Sequence, residues 1–431
     1  MNRATPSAVA MDVTALVRQP VTGIQRVIHE LVPRLCRLCF ERGVGITLGH
    51  SLSQRLVPIC RWDTPVSDAE IGTVLRALSS GNTPRSPSRL MRCLGRAKRA
   101  ARLVPGVQTW ARRFRLLLQA SKRLRQFVVD YVSGSAVVDP GVDSFIGFSA
   151  GILPTRLPAG MNPRRVLLVV HDLIPLHYPE YVGAGEPQRF WNNVIQLAFP
   201  FQGRATDYRF ITPSTRVAGD VRSFFGRLWD QPPVVRSVYW GFSREKFFPA
   251  PDAQLREELR IPEANYLVLA VSAAEPRKRF HVIEEALALL NRDFPVTGLF
   301  IGPRPRAADP APWVRYLGYV EDGLLRRAYS TCDAFVNWSA CEGFGLPVIE
   351  ALACGARVVV PPDNPVLLEV GGRDVTVAES ATVEGLVRTL AEILRKPAPR
   401  KPADLQRFDW ERAACAFGEE LWGPEAVRIA G

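Results

Sequence analysis

The sequence predicts an α/β chain of two successive halves, each built on a parallel sheet. Three observations carry this: continuously apolar runs without period-2 alternation, helical periodicity between those runs, and polar or glycine-containing loops at their ends. The 431 residues suit two domains at about 100–200 residues each. A hydrophobic content of 47% with 23% charged residues excludes wholesale disorder, collagen-like repeats and coiled coil.

In chain order, Ser7 to Val17 reads as a first strand and Arg18 to Gly23 as a loop. A helix is expected from Ile24, with Ile24, Val27, Ile28, Leu31 and Leu35 on one face. Arg165 to Val170 is an apolar strand ending at His171-Asp172, and Tyr208 to Thr212 is another ending at Pro213-Ser214. Open α/β sheets bind ligands at such carboxyl ends. Tyr239 to Asp252, rich in turn formers and proline, reads as a linker. The rhythm then restarts: strand Tyr266 to Ser272, helix Arg279 to Asn291, strands Thr297 to Ile301 and Val314 to Leu317, helix Gly323 to Ser330, strands Ala334 to Asn337 and Arg357 to Val360. Two such halves leave a cleft between them.

The net charge of +13 is local, because residues 71–129 hold 14 Lys and Arg and no Asp or Glu. Within this run Trp110, Phe114, Leu117, Leu118, Leu124, Phe127 and Val128 alternate with basic residues, as in an amphipathic basic helix or helix pair. Its apolar stripe suits either packing on the domain or, through residues 85–126, an anionic membrane surface. Nucleic acid is not an expected partner, since no recognisable binding module is present. No apolar run approaches the ~20 residues that span a bilayer, and the N-terminus lacks a secretory pattern. The expected location is the cytoplasm, with peripheral attachment to the inner face of the cytoplasmic membrane through the basic run. Eight scattered cysteines fit reduced thiols. Cys36-x2-Cys39 lies in a helical pattern without a second ligand pair, so a zinc site is not expected.

The chemistry concentrates in Cys341-Glu342-Gly343-Phe344-Gly345-Leu346-Pro347-Val348-Ile349-Glu350-Ala351-Leu352-Ala353-Cys354-Gly355. Pro347 suits a first helical turn and Gly355 a helix stop. Gly343 and Gly345 permit close backbone approach to a ligand, and the free amides near Leu346 form an anion site. Glu342 and Glu350 flank that start, where carboxylates accept hydrogen bonds from hydroxyls. A ligand with both phosphates and hydroxyls, such as a nucleotide-sugar, satisfies both. The competing reading of either glutamate is an exposed helix carboxylate.

With its Gly-Phe-Gly-Leu-Pro interior the run resembles the Glu-x7-Glu motif of retaining glycosyltransferases of the GT-B fold, in particular glycosyltransferase family 4. Val271 to Phe280 is similar to that family's phosphate-binding loop, and Leu317-Gly318-Tyr319-Val320 to its nucleobase-contacting turn. His171 to Pro175 resembles its strand-end histidine segment; Ile211 to Ser214, Phe247 to Pro249 and Phe408 to Glu411 also match. Thr22 to Val27 resembles the glycine loop of bacterial polysaccharide mannosyltransferases. The resemblance covers about 1–50 and 160–425 and omits the acid-free run.

The resemblance implies two Rossmann-like domains facing across a cleft: an acceptor domain of 1–245 carrying the basic insertion at 71–129, a nucleotide-sugar domain of 250–415, and a C-terminal helix of 416–431 returning to the first. Lys278 with Arg277 would neutralise the donor diphosphate; the family's usual arginine position holds Ala273 here. Glu342 would hold the transferred sugar and Glu350 the donor ribose. Gly318, Tyr319 and Val320 would meet the base, and Gly343, Phe344, Gly345 and Leu346 the donor. His171 would reach the sugar from the opposite domain unless it is merely a satisfied turn histidine, while Gly23 and Arg26 would line the cleft. The implied reaction moves a hexose, foremost mannose from GDP-mannose, onto a surface polysaccharide or lipid-linked oligosaccharide, without a metal. Nucleotide-activated rhamnose, a UDP-sugar donor, an inactive scaffolding homologue and a sugar-nucleotide epimerase stay open.

Overall fold

The computed structural model describes residues 8–17, 23–52, 55–79, 142–148, 163–188, 190–192, 206–229, 233–271, 275–303, 311–396 and 403–424. The first sheet holds β1 (Ala8–Asp12), β2 (Gly45–Leu52), β3 (Arg55–Trp62), β4 (Ser144–Gly147), β5 (Arg165–Val169), β6 (Asp207–Thr212) and β7 (Val234–Ser237), ordered β3-β2-β1-β4-β5-β6-β7. All its pairs are parallel except β2 with β3. Helices α1 (Gly23–Phe40), α2 (Asp68–Ser79) and α3 (Thr215–Phe225) belong to this half.

The second sheet holds β8 (Tyr266–Val271), β9 (Val296–Ile301), β10 (Val314–Gly318), β11 (Ala334–Val336), β12 (Val358–Val360) and β13 (Val375–Val377), ordered β10-β9-β8-β11-β12-β13 and parallel throughout. With it come α4 (Phe280–Leu290), α5 (Asp322–Thr331), α6 (Leu346–Ala353), α7 (Pro365–Gly371) and α8 (Val383–Arg395), then the last helix α9 (Trp410–Trp422). The apolar runs are buried as expected of strands covered on both faces: Val166 to Val169 are all inside, as is every residue of β9.

Four sequence expectations change. The first strand stops at Asp12, and a 3-10 turn at Thr14–Val17 follows. Val13, Ala15 and Leu16 stay buried beyond the strand, so the apolar pattern does not mark where the strand ends. The antiparallel edge β2–β3 has no counterpart in the reading, since Gly49, His50 and Ser51 interrupt its apolar pattern. The helix placed at 416–431 spans Trp410–Trp422, starting within the Phe408 to Glu411 match, where the Asp409 carboxylate accepts from the Arg412 amide at 2.9 Å. Finally, the Tyr239 to Asp252 connection is packed rather than loose: Trp240 is buried, stacked on Trp410 and Phe417 at 6.3 and 6.4 Å between centroids.

Helix α9 lies along the first half. Arg236 and Arg209 of the first sheet pair with Glu419 and Glu420 at 2.5 to 3.0 Å, and Arg165 donates to the Glu420 and Leu421 carbonyls. Most of the basic run, residues 80–129, lies outside the described residues. Its start belongs to α2, with Ile71, Leu75 and Leu78 buried. No described helix is long and apolar enough to cross a membrane. Cys36 and Cys39 are buried in α1, and burial pushes the Cys39 thiol up to about 12.

Candidate active site

A cavity of about 420 Å³ opens between the carboxyl ends of the two sheets. The first half lines it with Gly23, Ile24 and Val27 of α1, His171 and Asp172 after β5, Pro213 after β6, and Trp240. The second contributes Glu275, Arg277, Lys278, Pro303, Tyr319 and the run Glu342 to Pro347.

Local sequence explains why these side chains meet. Pro276 starts a 3-10 turn, Pro276–Lys278, which carries Arg277 and Lys278 off the end of β8. The Ala340 amide donates to the Arg277 carbonyl at 2.7 Å, tying that turn to the loop before α6. Gly345 precedes α6 with φ +93°, and a Cβ there would lie 2.8 Å from Leu367 Cδ2, so both conformation and space select glycine. At Gly343 a Cβ would run into the His171 carbonyl oxygen. Ser214 Oγ donates to the Gly343 carbonyl at 3.1 Å, which seats this loop against the first half.

Arg277 and Lys278 form a cation pair on Glu342, and Arg277 is shared with Glu275. Glu342 accepts from Lys278 Nζ and, at 2.8 Å, from Arg277 Nη1; Arg277 also reaches Glu275 at 2.5 Å. Burial pushes the Glu342 carboxyl up, but Lys278 and Arg277 outweigh it and hold the group at about 2. Burial pulls the Lys278 ammonium down, against the pull of Glu342. Asp172 is raised by burial despite Arg277. His171 Nε2 lies 2.7 Å from the Phe148 carbonyl, which can only accept, so Nε2 carries the proton and Nδ1 is an acceptor. Burial lowers this imidazole to about 4, leaving it neutral near pH 7.

Of the residues singled out from sequence, Gly23, His171, Arg277, Lys278, Tyr319, Glu342, Gly343, Phe344, Gly345 and Leu346 line the cavity. Gly318, Val320, Arg26 and Glu350 do not. Gly318 ends β10 with φ +66°, turning the exposed Tyr319 toward the opening. Glu350 is 2% exposed and bonded to Arg26 Nη1, while Arg26 Nη2 donates to Asp322 at 2.7 Å. Arg26 therefore joins the two halves instead of facing the cavity. Sequence reasoning assigned no role to Asp172, Glu275 or Asp322. The first two adjoin the strand-end histidine and the Pro-Arg-Lys turn, a proximity that could have flagged them; Asp322 has no local signal.

Residues 252–408 match the family model "Glycosyl transferases group 1". The second half carries a glycosyltransferase group 1 domain. Among curated relatives, O-antigen chain mannosyltransferase B of Escherichia coli is 36% identical over 105 residues, 23% of this chain and 27% of that protein. The match thus spans about a quarter of that relative's length. Sucrose-phosphate synthase from Thermosynechococcus elongatus superposes with a TM-score of 0.54 at 16% identity, covering 98% of this chain and 96% of the other. HepE of Anabaena, solved in complex with UDP-glucose, gives 0.53 at 15% identity over 97% and 96%. The fold is GT-B, two parallel-sheet α/β domains.

Proposed function

We propose that this chain is a retaining glycosyltransferase that moves a hexose, foremost mannose from GDP-mannose, onto a surface polysaccharide or lipid-linked oligosaccharide. The observation that carries the reading is the Arg277, Lys278 and Glu342 cluster in a cavity open to both halves. In this reading the donor diphosphate lies against Arg277 and Lys278, whose charge stabilises it as the sugar bond breaks. Glu342 turns toward the sugar hydroxyls, Glu350 serves the ribose, and Tyr319 lies beside the base. His171 offers Nδ1 to the sugar from the other half. The bond from the anomeric carbon to the phosphate oxygen breaks, the acceptor oxygen joins the same face, and its proton passes to the departing phosphate oxygen. Arg277 and Lys278 supply the positive charge, and no metal takes part.

The O-antigen mannosyltransferase relative supports mannose and a polysaccharide acceptor; the UDP-glucose bound by HepE keeps a UDP-sugar as the alternative donor. The test is incubation with labelled GDP-mannose, UDP-glucose and a nucleotide-activated rhamnose, with and without glycan acceptor. Acceptor-dependent product of unchanged anomeric configuration from GDP-mannose is expected. Inverted product, or no transfer from any donor, contradicts the reading.

A further inference from the structure

Arg26 sits on the first turn of α1, in the first half, yet its guanidinium is committed to the second. Nη1 donates to Glu350 Oε1 on α6, and Nη2 to Asp322 Oδ1 on α5 at 2.7 Å. Glu350 is 2% exposed. A carboxylate taken that far from water keeps its charge only beside a compensating cation, and protonation would convert an acceptor into a donor. A ribose diol offers O–H donors, which an ionised carboxylate accepts strongly and a neutral carboxyl does not. Arg26 occupies Oε1, so the ribose role given to Glu350 falls to Oε2.

We propose that Arg26 is a positioning residue for donor recognition: reaching across from the first half, it keeps Glu350 charged and oriented, so that ribose binding by the second half depends on closure against the first. The inference rests on the ribose role given above to Glu350. The groups facing Glu350 are Arg26 from α1, Asp322 and Tyr329 from α5, Cys354 after α6, and Lys246 from the inter-half connection. Burial pushes Glu350 up, Arg26 pulls it down, Asp322 pushes it further up and Lys246 opposes that. Lys246 also lies 3.5 Å from Asp322 and 3.6 Å from Glu30, so its charge is shared. Without Arg26, two acids face one shared lysine.

The experiment measures the affinity of the full chain for GDP, UDP and their 2′,3′-dideoxy counterparts between pH 6 and 9. Wild-type protein is expected to prefer a ribonucleotide over its dideoxy form by about tenfold. Glu350→Ala and Arg26→Ala each erase that preference at pH 7, and the double variant loses no more. In Arg26→Ala the preference returns as pH rises and Glu350 ionises unaided, and Arg26→Lys keeps most of it. Arg26→Gln, which retains hydrogen-bond donors without charge, behaves like the alanine variant and serves if the latter fails to fold. The proposal is overturned if Arg26→Ala keeps the preference, or loses both nucleotide forms equally while Glu350→Ala affects the ribonucleotide alone. A Glu350→Ala variant that retains full preference removes the ribose reading itself, and the proposal with it.

Discussion

At Lys278, burial and charge oppose one another: desolvation favours a neutral amine, and the carboxylate of Glu342 favours the ammonium. The same contact keeps Glu342 ionised down to about pH 2 although it is buried. His171 is the case in which burial wins. Unfolded, an imidazole takes up its proton near pH 6.5; here it does so near 4. Between those values the unfolded chain binds the extra proton, so His171 contributes stability above pH 6.5 that is lost as pH falls to 4. His29, also lowered by burial, acts in the same direction. We predict that urea stability of wild-type protein drops across this window and that His171→Gln, which keeps a donor for the Phe148 carbonyl, drops measurably less. Equal declines would show that His171 is not buried as a neutral ring. Lys278 and Glu342 were legible in sequence because each lies on a short local motif, whereas the contact between Arg26 and Asp322 joins residues 296 positions apart and exists only in the fold.

At the scale of elements, the ends of strands and the starts of helices do the positioning. Ser214 is fully buried at the start of α3, where its Oγ accepts from the Val217 amide at 3.2 Å and donates to the Gly343 carbonyl at 3.1 Å. One hydroxyl thus caps a helix of the first half and fixes the glutamate-bearing loop of the second. Ser214→Ala loses a cap and leaves the buried Val217 amide and the half-buried Gly343 carbonyl unpaired, which should cost about 2 kcal/mol in urea unfolding. A loss below about 0.5 kcal/mol would mean water or backbone replaces the hydroxyl. The parallel strands were readable because burial on both faces makes them continuously apolar. The β2–β3 edge was not, since glycine and polar residues break its pattern. Prolines mark the Tyr239 to Asp252 connection in the sequence, but its packing depends on where Trp410 and Phe417 of a distant helix arrive.

For the whole molecule, contacts between the halves concentrate around the cavity. Glu369 of α7 accepts from the Thr215 and Arg216 amides at 2.6 and 3.0 Å, placing a carboxylate of the second half on the helix start of the first. Arg26 bridges to Glu350 and Asp322, and the Gly343 loop rests on His171 and Ser214. Two domains closed over a cluster of paired charges suit a ligand that exchanges those internal pairs for its own phosphates and hydroxyls. In the proposed reaction Lys278, with Arg277 beside it, takes up the donor diphosphate. The decisive measurement is the rate of nucleoside diphosphate release from the wild-type enzyme's preferred nucleotide-sugar by wild-type and Lys278→Ala proteins, with circular dichroism confirming that both are folded. A loss of about 100- to 1000-fold is expected in the variant; turnover near the wild-type rate would show that Lys278 does not hold the diphosphate.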